Sequence, residues 1–418
     1  MDYADLDAHA AVTAVWKAES PRLVGSLLRT TRDLDLAEDL AHDALVAALE
    51  QWPAHGVPAN PGAWLTQVAR RRAIDHFRRA QVRVRVEDRL GRDLAEEETA
   101  VPDFAAALDH VEDDVLRLML VSCHPALTPE SQVALTLRLL GGLSSKEIAR
   151  AFMVPEPTVV RRITRAKRAL GEQLDPYEVP DGQERARRLP AVLHVIYLIF
   201  TEGYAATAGD HWMRSALCDE ALRLGRLVVD MFPADAEAHG LLALMELQAS
   251  RADARVDDDG DPVLLADQDR TAWDQAAIRR GLESLGRALT LPGPGAYSVQ
   301  AAIAATHARS ASMEATDWPR IAGLYDTLAG MTPNPAVRLN RAVAHGMADG
   351  PAVGLALVDE LVDEPALREN HLLPSVRGDL LAKLERGAEA RLEFERAAAL
   401  ARNERERALL LRRAAELA

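Results

Sequence analysis

Ser145-Lys146-Glu147-Ile148-Ala149-Arg150-Ala151-Phe152-Met153-Val154-Pro155-Glu156-Pro157-Thr158-Val159-Val160-Arg161-Arg162-Ile163-Thr164-Arg165-Ala166-Lys167-Arg168 is the most legible stretch of this 418-residue chain. Ile148, Ala149 and Phe152 fall on one face of a first helix, with Ser144 placed to cap its N-terminus. Met153-Val154-Pro155 forms the turn, with Met153 where such turns usually carry Gly. Glu156-Pro157-Thr158 opens a second helix, and proline near the first position costs no hydrogen bond there. Val159, Ile163, Ala166 and Leu170 recur at i, i+4, i+7 and i+11, which predicts a buried stripe. Arg161, Arg162, Arg165, Lys167 and Arg168 lie outside that stripe, giving residues 156–168 a net charge of +4 against the single acid Glu156. This is a helix-turn-helix pattern whose second helix is long enough for a DNA major groove. A guanidinium there grips guanine O6 and N7 in a pair worth ~1–3 kcal/mol, and the other cations pair with phosphates without reading sequence. A solvated basic face on an ordinary bundle has the same composition, and this segment alone does not separate the two.

A second concentration of positive charge lies about 90 residues upstream, in Trp64-Leu65-Thr66-Gln67-Val68-Ala69-Arg70-Arg71-Arg72-Ala73-Ile74-Asp75-His76-Phe77-Arg78-Arg79. Leu65, Val68, Ala69, Ile74 and Phe77 supply the apolar face, while Gln67, Arg70, Arg71, Arg78 and Arg79 face outward. An aromatic beside Arg and Gln suits single-stranded DNA, because bases stack on rings and cations follow the backbone; Trp64 in the core is the other reading. Before this segment, helical spacing covers residues 10–30 and about Leu36 to Trp52. The Pro/Gly-rich stretch Pro53–Gly62 breaks the pattern. Residues 87–114 hold eleven acids and two arginines, which predicts an acidic connector.

Beyond about residue 185, Ala/Leu-rich helices are separated by Phe232-Pro233, Pro292–Gly295, Thr332–Pro335, Gly350-Pro351 and Glu364-Pro365. Paired helices with short turns predict an α-solenoid. Gly378, Ala390, Phe394 and Ala397 match the small-residue positions of a tetratricopeptide repeat. The fold class expected is therefore all-α.

The chain carries 49 Lys+Arg against 64 Asp+Glu, a net charge of −15, which argues against a protein coated in basic surface. Apolar residues make up 48% and aromatics 4%, enough for helical cores and few for β-sandwiches. Cys123 and Cys218 are too few for a disulfide scaffold and are expected to be buried. There is no Walker motif, dinucleotide fingerprint or HExxH, so no cofactor, metal or catalytic residue is expected. Cys123-His124, His211-Trp212 and the set Glu202, His194 and Asp210 are weak as metal or catalytic groups. The start of the chain lacks signal-peptide regions, and Ala191–Phe200 is about half of a membrane span. No membrane partner and a cytoplasmic location are expected.

Two DNA-reading segments joined by an acidic tether resemble an extracytoplasmic-function sigma factor of the sigma-70 family. Ala37-Glu38-Asp39-Leu40 with Asp43-Ala44 is similar to that family's region-2 helix, and Pro61-Gly62-Ala63-Trp64 through Arg79 to its promoter-melting segment. Glu147 through Arg168 resembles its region-4 motif, and Arg71 stands where many relatives have Asn. Tyr197–Tyr204, Leu264–Arg270 and Leu339–Ala344 resemble the subfamily with a large tetratricopeptide-like extension.

The resemblance implies domains at 1–82 (region 2), 83–112 (acidic linker), 113–175 (region 4) and 183–418 (helical extension). It implies core RNA polymerase and promoter DNA as partners. Glu38, Asp39, Leu40 and Asp43 would dock on the β′ clamp, with region 4 on the β flap. Asn60, Trp64, Gln67, Arg70, Arg71, Arg78 and Arg79 would engage the −10 element, flipping a base at a cost of a few kcal/mol. Glu156, Thr158, Arg161, Arg162, Arg165, Lys167 and Arg168 would read the −35 duplex. The tether would multiply two weak contacts through effective concentration; it would thread the RNA-exit path or stay solvated. The solenoid would regulate or support the sigma module through a protein partner. A one-component helix-turn-helix regulator with a sensory solenoid is the rival, and leaves 64–79 unexplained.

Overall fold

A computed structural model describes residues 8–88, 111–152, 154–173, 177, 182–204, 213–257, 261–332 and 334–417. Most of the acidic connector, Met153 of the turn, Asp210, His211 and Trp212 lie outside the described residues. Among those described the chain is all-α, with one isolated β-bridge between Val256 and Pro262. It divides into two compact units, Met1–Val195 and Ile196–Ala418.

The first unit opens with α1 (Ala8–Thr31), α2 (Leu34–His55) and α3 (Pro61–Asp88), packed on one another through Val15, Leu28, Ala41, Ala48, Leu65 and Ala69. Arg32 turns the chain between α1 and α2 in the left-handed region at φ 51°, and Asp33 caps α2 by accepting from the Leu36 N–H at 3.0 Å. The Pro/Gly stretch is shorter as a loop than expected. Pro53 falls in the last turn of α2, where its missing N–H forfeits one bond before the helix ends at His55. Helix α3 runs beyond Arg79 to Asp88, so residues 83–88 of the expected linker are helical.

The expected region 4 follows within α4 (Val111–Ser122), α5 (Pro129–Leu139), α6 (Ser145–Ala151) and α7 (Glu156–Gly171). Ser144 and Glu147 cap α6 reciprocally. The Glu147 N–H donates to Ser144 Oγ at 3.2 Å, and the Ser144 N–H donates to Glu147 Oε2 at 2.8 Å. Ile148 and Ala149 are buried and Phe152 is half-buried. The expected stripe of α7, Val159, Ile163, Ala166 and Leu170, is its buried face. Cys123 is buried, which pushes its thiol up to about 11.

Helix α8 (Gly182–Tyr204) begins in the first unit and ends in the second. The second unit continues through α9 (Ser215–Met231), α10 (Ala236–Ala249), α11 (Gln275–Thr290), α12 (Ala296–Arg309), α13 (Trp318–Met331), α14 (Pro335–Ala348), α15 (Pro351–Asp359), α16 (Leu372–Lys383), α17 (Gly387–Leu400) and α18 (Glu404–Ala415). Successive helices pack as neighbours, which is the α-solenoid expected. The repeat residues meet as their spacing requires. A Cβ on Gly378 would stand 3.0 Å from the Phe394 ring, and Ala390, Phe394 and Ala397 are fully buried. A second close approach was not read from the sequence: a Cβ on Gly354 would lie 2.7 Å from Gly346 Cα, so α14 and α15 touch through glycine. The Glu237 carboxylate of α10 caps α12, accepting from the N–H groups of Gly295, Tyr297 and Ser298 at 2.8–2.9 Å.

Candidate nucleic-acid interface

On α7 the four buried residues fix which way every other side chain faces. Arg161, Arg165 and Arg168 are exposed and Arg162 is half-buried. Arg161 Nη2 donates to Thr158 Oγ1 at 3.4 Å, and Arg168 pairs with Glu172 at 3.2 Å on the open surface. Arg162 and Arg165 have no ion-pair partner among the described residues. Glu156 is exposed in the first turn, where the N-terminal end of the dipole favours a carboxylate.

Lys167 is not part of that free set. It leaves α7 toward α2, pairs with Asp35, and stands 2.8 Å from Glu38 Oε2. Burial pulls its ammonium down, but the Glu38 and Asp35 carboxylates outweigh this and hold it above the ordinary lysine value. Arg138 of α5 completes the cluster, its Nε donating to Glu38 Oε1 at 2.9 Å. Glu38 is 7% exposed, so this contact is largely removed from water. A residue expected to face polymerase and one expected to face DNA are thus bound to each other. Arg29 and Asp114 form another pair between the two regions at 3.3 Å.

The remaining residues of α2 divide by the same geometry. Leu40 is 4% exposed and packs inward, whereas Asp39 is exposed and Asp43 pairs with Arg72 of α3 at 3.0 Å. Asn60 caps α3: its Oδ1 accepts from the Ala63 N–H at 3.0 Å. Trp64 is half-buried, edge-on to the buried Trp52 with ring centroids 5.4 Å apart, so it is anchored in the core on one side. Gln67, Arg71, Arg78 and Arg79 are exposed, Arg70 is half-buried, and none of these arginines has an ion-pair partner among the described residues. Sequence reasoning missed Arg138 and Asp35, because contacts spanning 100 and 132 residues leave no local pattern.

The weaker candidates fall elsewhere. His194 is exposed on α8, and Glu202 pairs with Arg214. Cys218 is buried, its thiol pushed up to about 12. Among the described residues no helix is long and apolar enough to cross a membrane.

Two helical regions of one compact unit thus each present a basic helix, with Arg71, Arg78 and Arg79 on α3 and Arg165 on α7 exposed and outside every ion pair among the described residues. The comparisons carry this to a family. Residues 15–83 match Sigma-70 region 2, residues 117–170 match Sigma-70 region 4, and residues 188–289 match a family of unknown function (DUF6596). The chain is 44% identical over 391 residues to an uncharacterized protein of Rhizobium meliloti, covering 93% of this chain and 92% of that one. It is 30% identical over 161 residues to the ECF RNA polymerase sigma factor SigK of Mycobacterium ulcerans, 37% of this chain and 80% of the relative. It is 27% identical over 184 residues to the probable ECF RNA polymerase sigma factor SigI of Mycobacterium tuberculosis, 42% of this chain and 60% of the relative. The chain belongs to the extracytoplasmic-function sigma factors of the sigma-70 family. A tetratricopeptide repeat protein from Parabacteroides merdae aligns at a TM-score of 0.35 and 13% identity, over 73% of this chain and 99% of that one.

Proposed function

We propose that the chain selects promoters for core RNA polymerase, with α3 engaging the −10 element and α7 reading the −35 duplex. The observation that supports this most is that Arg71, Arg78, Arg79 and Arg165 are exposed, on two helices of one unit, without carboxylate partners among the described residues. Asp39 and Asp43 of α2 face the polymerase β′ clamp, and region 4 faces the β flap. Trp64, held by Trp52, offers its open face to an extruded base, and Arg70, Arg71, Arg78 and Arg79 follow the strand. Arg161, Arg162 and Arg165 meet the duplex directly. Lys167 reaches a phosphate, and Glu38 a polymerase surface, only after leaving one another. The second unit regulates or supports the sigma module through a protein partner.

Run-off transcription with purified core polymerase tests the reading. Promoter-dependent initiation is expected; its absence, together with tight palindromic-site binding by the chain alone, would establish the one-component regulator instead. A chain cut after about residue 180, ahead of α8, tests the helical extension. Unchanged output and unchanged regulation would remove its assigned role.

A further inference from the structure

Between the arginines of α7 lie two uncharged side chains to which the proposed function gives no part, Val160 and Thr164. They stand one turn apart on the helix surface, at i and i+4. The other neighbours of Thr164 at that spacing are Arg161 one turn before it and Lys167 and Arg168 one turn after. Val160 is 45% exposed, and Thr164, Arg161 and Arg168 are exposed as well. The Thr164 hydroxyl is turned back onto its own helix, where Oγ1 donates to the Val160 carbonyl oxygen at 2.9 Å. A helical threonine bonded to the preceding turn in this way keeps its polar atom at the backbone and presents its γ-methyl to its surroundings.

On the proposed function these two positions meet the same groove as the arginines around them. Residues 156–168 carry a net charge of +4, which complements the phosphates and brings α7 to the duplex. In a major groove the arginines favour guanine, through O6 and N7. The 5-methyl of thymine is the one apolar group that the base edges display there, and a threonine methyl is among the groups that contact it. We infer that Thr164, with Val160 beside it, is a specificity-determining residue whose γ-methyl packs on the 5-methyl of a thymine in the −35 duplex. The inference rests on α7 reading that duplex, and it adds to the arginines a contact for a base that a guanidinium does not favour.

The test is competition binding by the full chain, with and without core polymerase, on duplexes selected from a pool randomised at −35. Replacing one thymine of the selected site by deoxyuridine removes a single methyl group and nothing else. At one position this is expected to weaken binding by the wild-type chain about fourfold, the effect of one buried CH₂-sized group. Thr164→Ser keeps the hydroxyl and loses the methyl, so it binds the thymine and uracil duplexes alike. Thr164→Val keeps a methyl and loses the hydroxyl, so it retains the difference. Both changes fall on the exposed side of α7 and leave its buried face intact. A wild-type chain indifferent to uracil at every thymine overturns the assignment. So does a Thr164→Ser chain that keeps the full difference, or a Thr164→Val chain that loses it. Run-off transcription on the same templates separates this result from the sigma-factor reading. A chain that initiates nowhere, yet discriminates thymine from uracil when it binds without polymerase, refutes that reading and leaves the thymine contact standing.

Discussion

The two compact units handle charge in opposite ways. In the second, carboxylates meet arginines from neighbouring helices: Glu246, 2% exposed, holds Arg226 at 2.6 Å and Arg280 at 2.9 Å. Arg377 joins Asp359 at 2.9 Å and Glu393 at 2.7 Å, and Arg413 joins Asp379 at 2.6 Å while lying 4.3 Å over the Phe394 ring. In the first unit, Arg70, Arg71, Arg78, Arg79, Arg162 and Arg165 stay outside every ion pair among the described residues. Paired charge between packed helices fixes their register in the solenoid. On the proposed function, the charge on α3 and α7 that is unpaired among the described residues is left for phosphates, whose release of counterions would drive binding. The first unit does pair charges where regions 2 and 4 touch, in the Glu38 cluster and between Arg29 and Asp114.

That contrast can be broken experimentally, beginning with the solenoid. Phe394→Ala empties a fully buried site between α16 and α17 and is expected to cost about 3–5 kcal/mol, read as a lower denaturant midpoint for the second unit. A loss below about 1 kcal/mol would mean the repeat contact does not hold the solenoid.

Arg165→Ala is expected to lose about 1–3 kcal/mol of discrimination at −35, measured by competition between matched and mismatched promoters. Arg78→Ala should instead weaken all sequences alike and lower the salt slope by about 1. If the two variants behave identically, the division of labour between α3 and α7 fails.

Glu38→Gln keeps the shape but removes the charge that holds Lys167 and Arg138. Duplex affinity of the chain without polymerase should rise about threefold to tenfold, consistent with a charged hydrogen bond worth about 1 kcal/mol after solvent screening. Unchanged affinity in a gel-shift titration would show that the cluster places no restraint on α7.

The smallest effect is a pH dependence in the second unit. Hydrogen bonding to Asp349 raises the His345 pKa; partial burial opposes this and Asp326 adds to it. Its contribution is fully present below the ordinary histidine value of about 6.5 and fades as pH rises through the raised folded value. Denaturation at pH 6 and pH 9 should show a few tenths of a kcal/mol that His345→Gln abolishes.

Much of this was legible in residues alone. The buried stripe of α7 follows from helical periodicity, the Ser144 cap of α6 from the preference for Ser at a helix start, and the Gly378–Phe394 contact from a repeat spacing. The roles of Asn60 and Leu40 in the fold were less so. Asn60 caps α3 and Leu40 packs inward, because capping and packing claim side chains that a motif places on a binding surface. Trp64 is half-buried and edge-on to Trp52, so the structure shows its packing in the core and not what its exposed part meets.

By itself the sequence determined the all-helical architecture, the two basic helices and the order of the domains, because each depends on side chains within a few turns of one another. Only the tertiary structure decided that Lys167 belongs with Glu38 and Arg138, that Gly142 lies close against Ser20 and Trp16, and that Gly346 meets Gly354. Those contacts join residues on different elements, and a pair brought together by packing leaves no periodic trace in the chain.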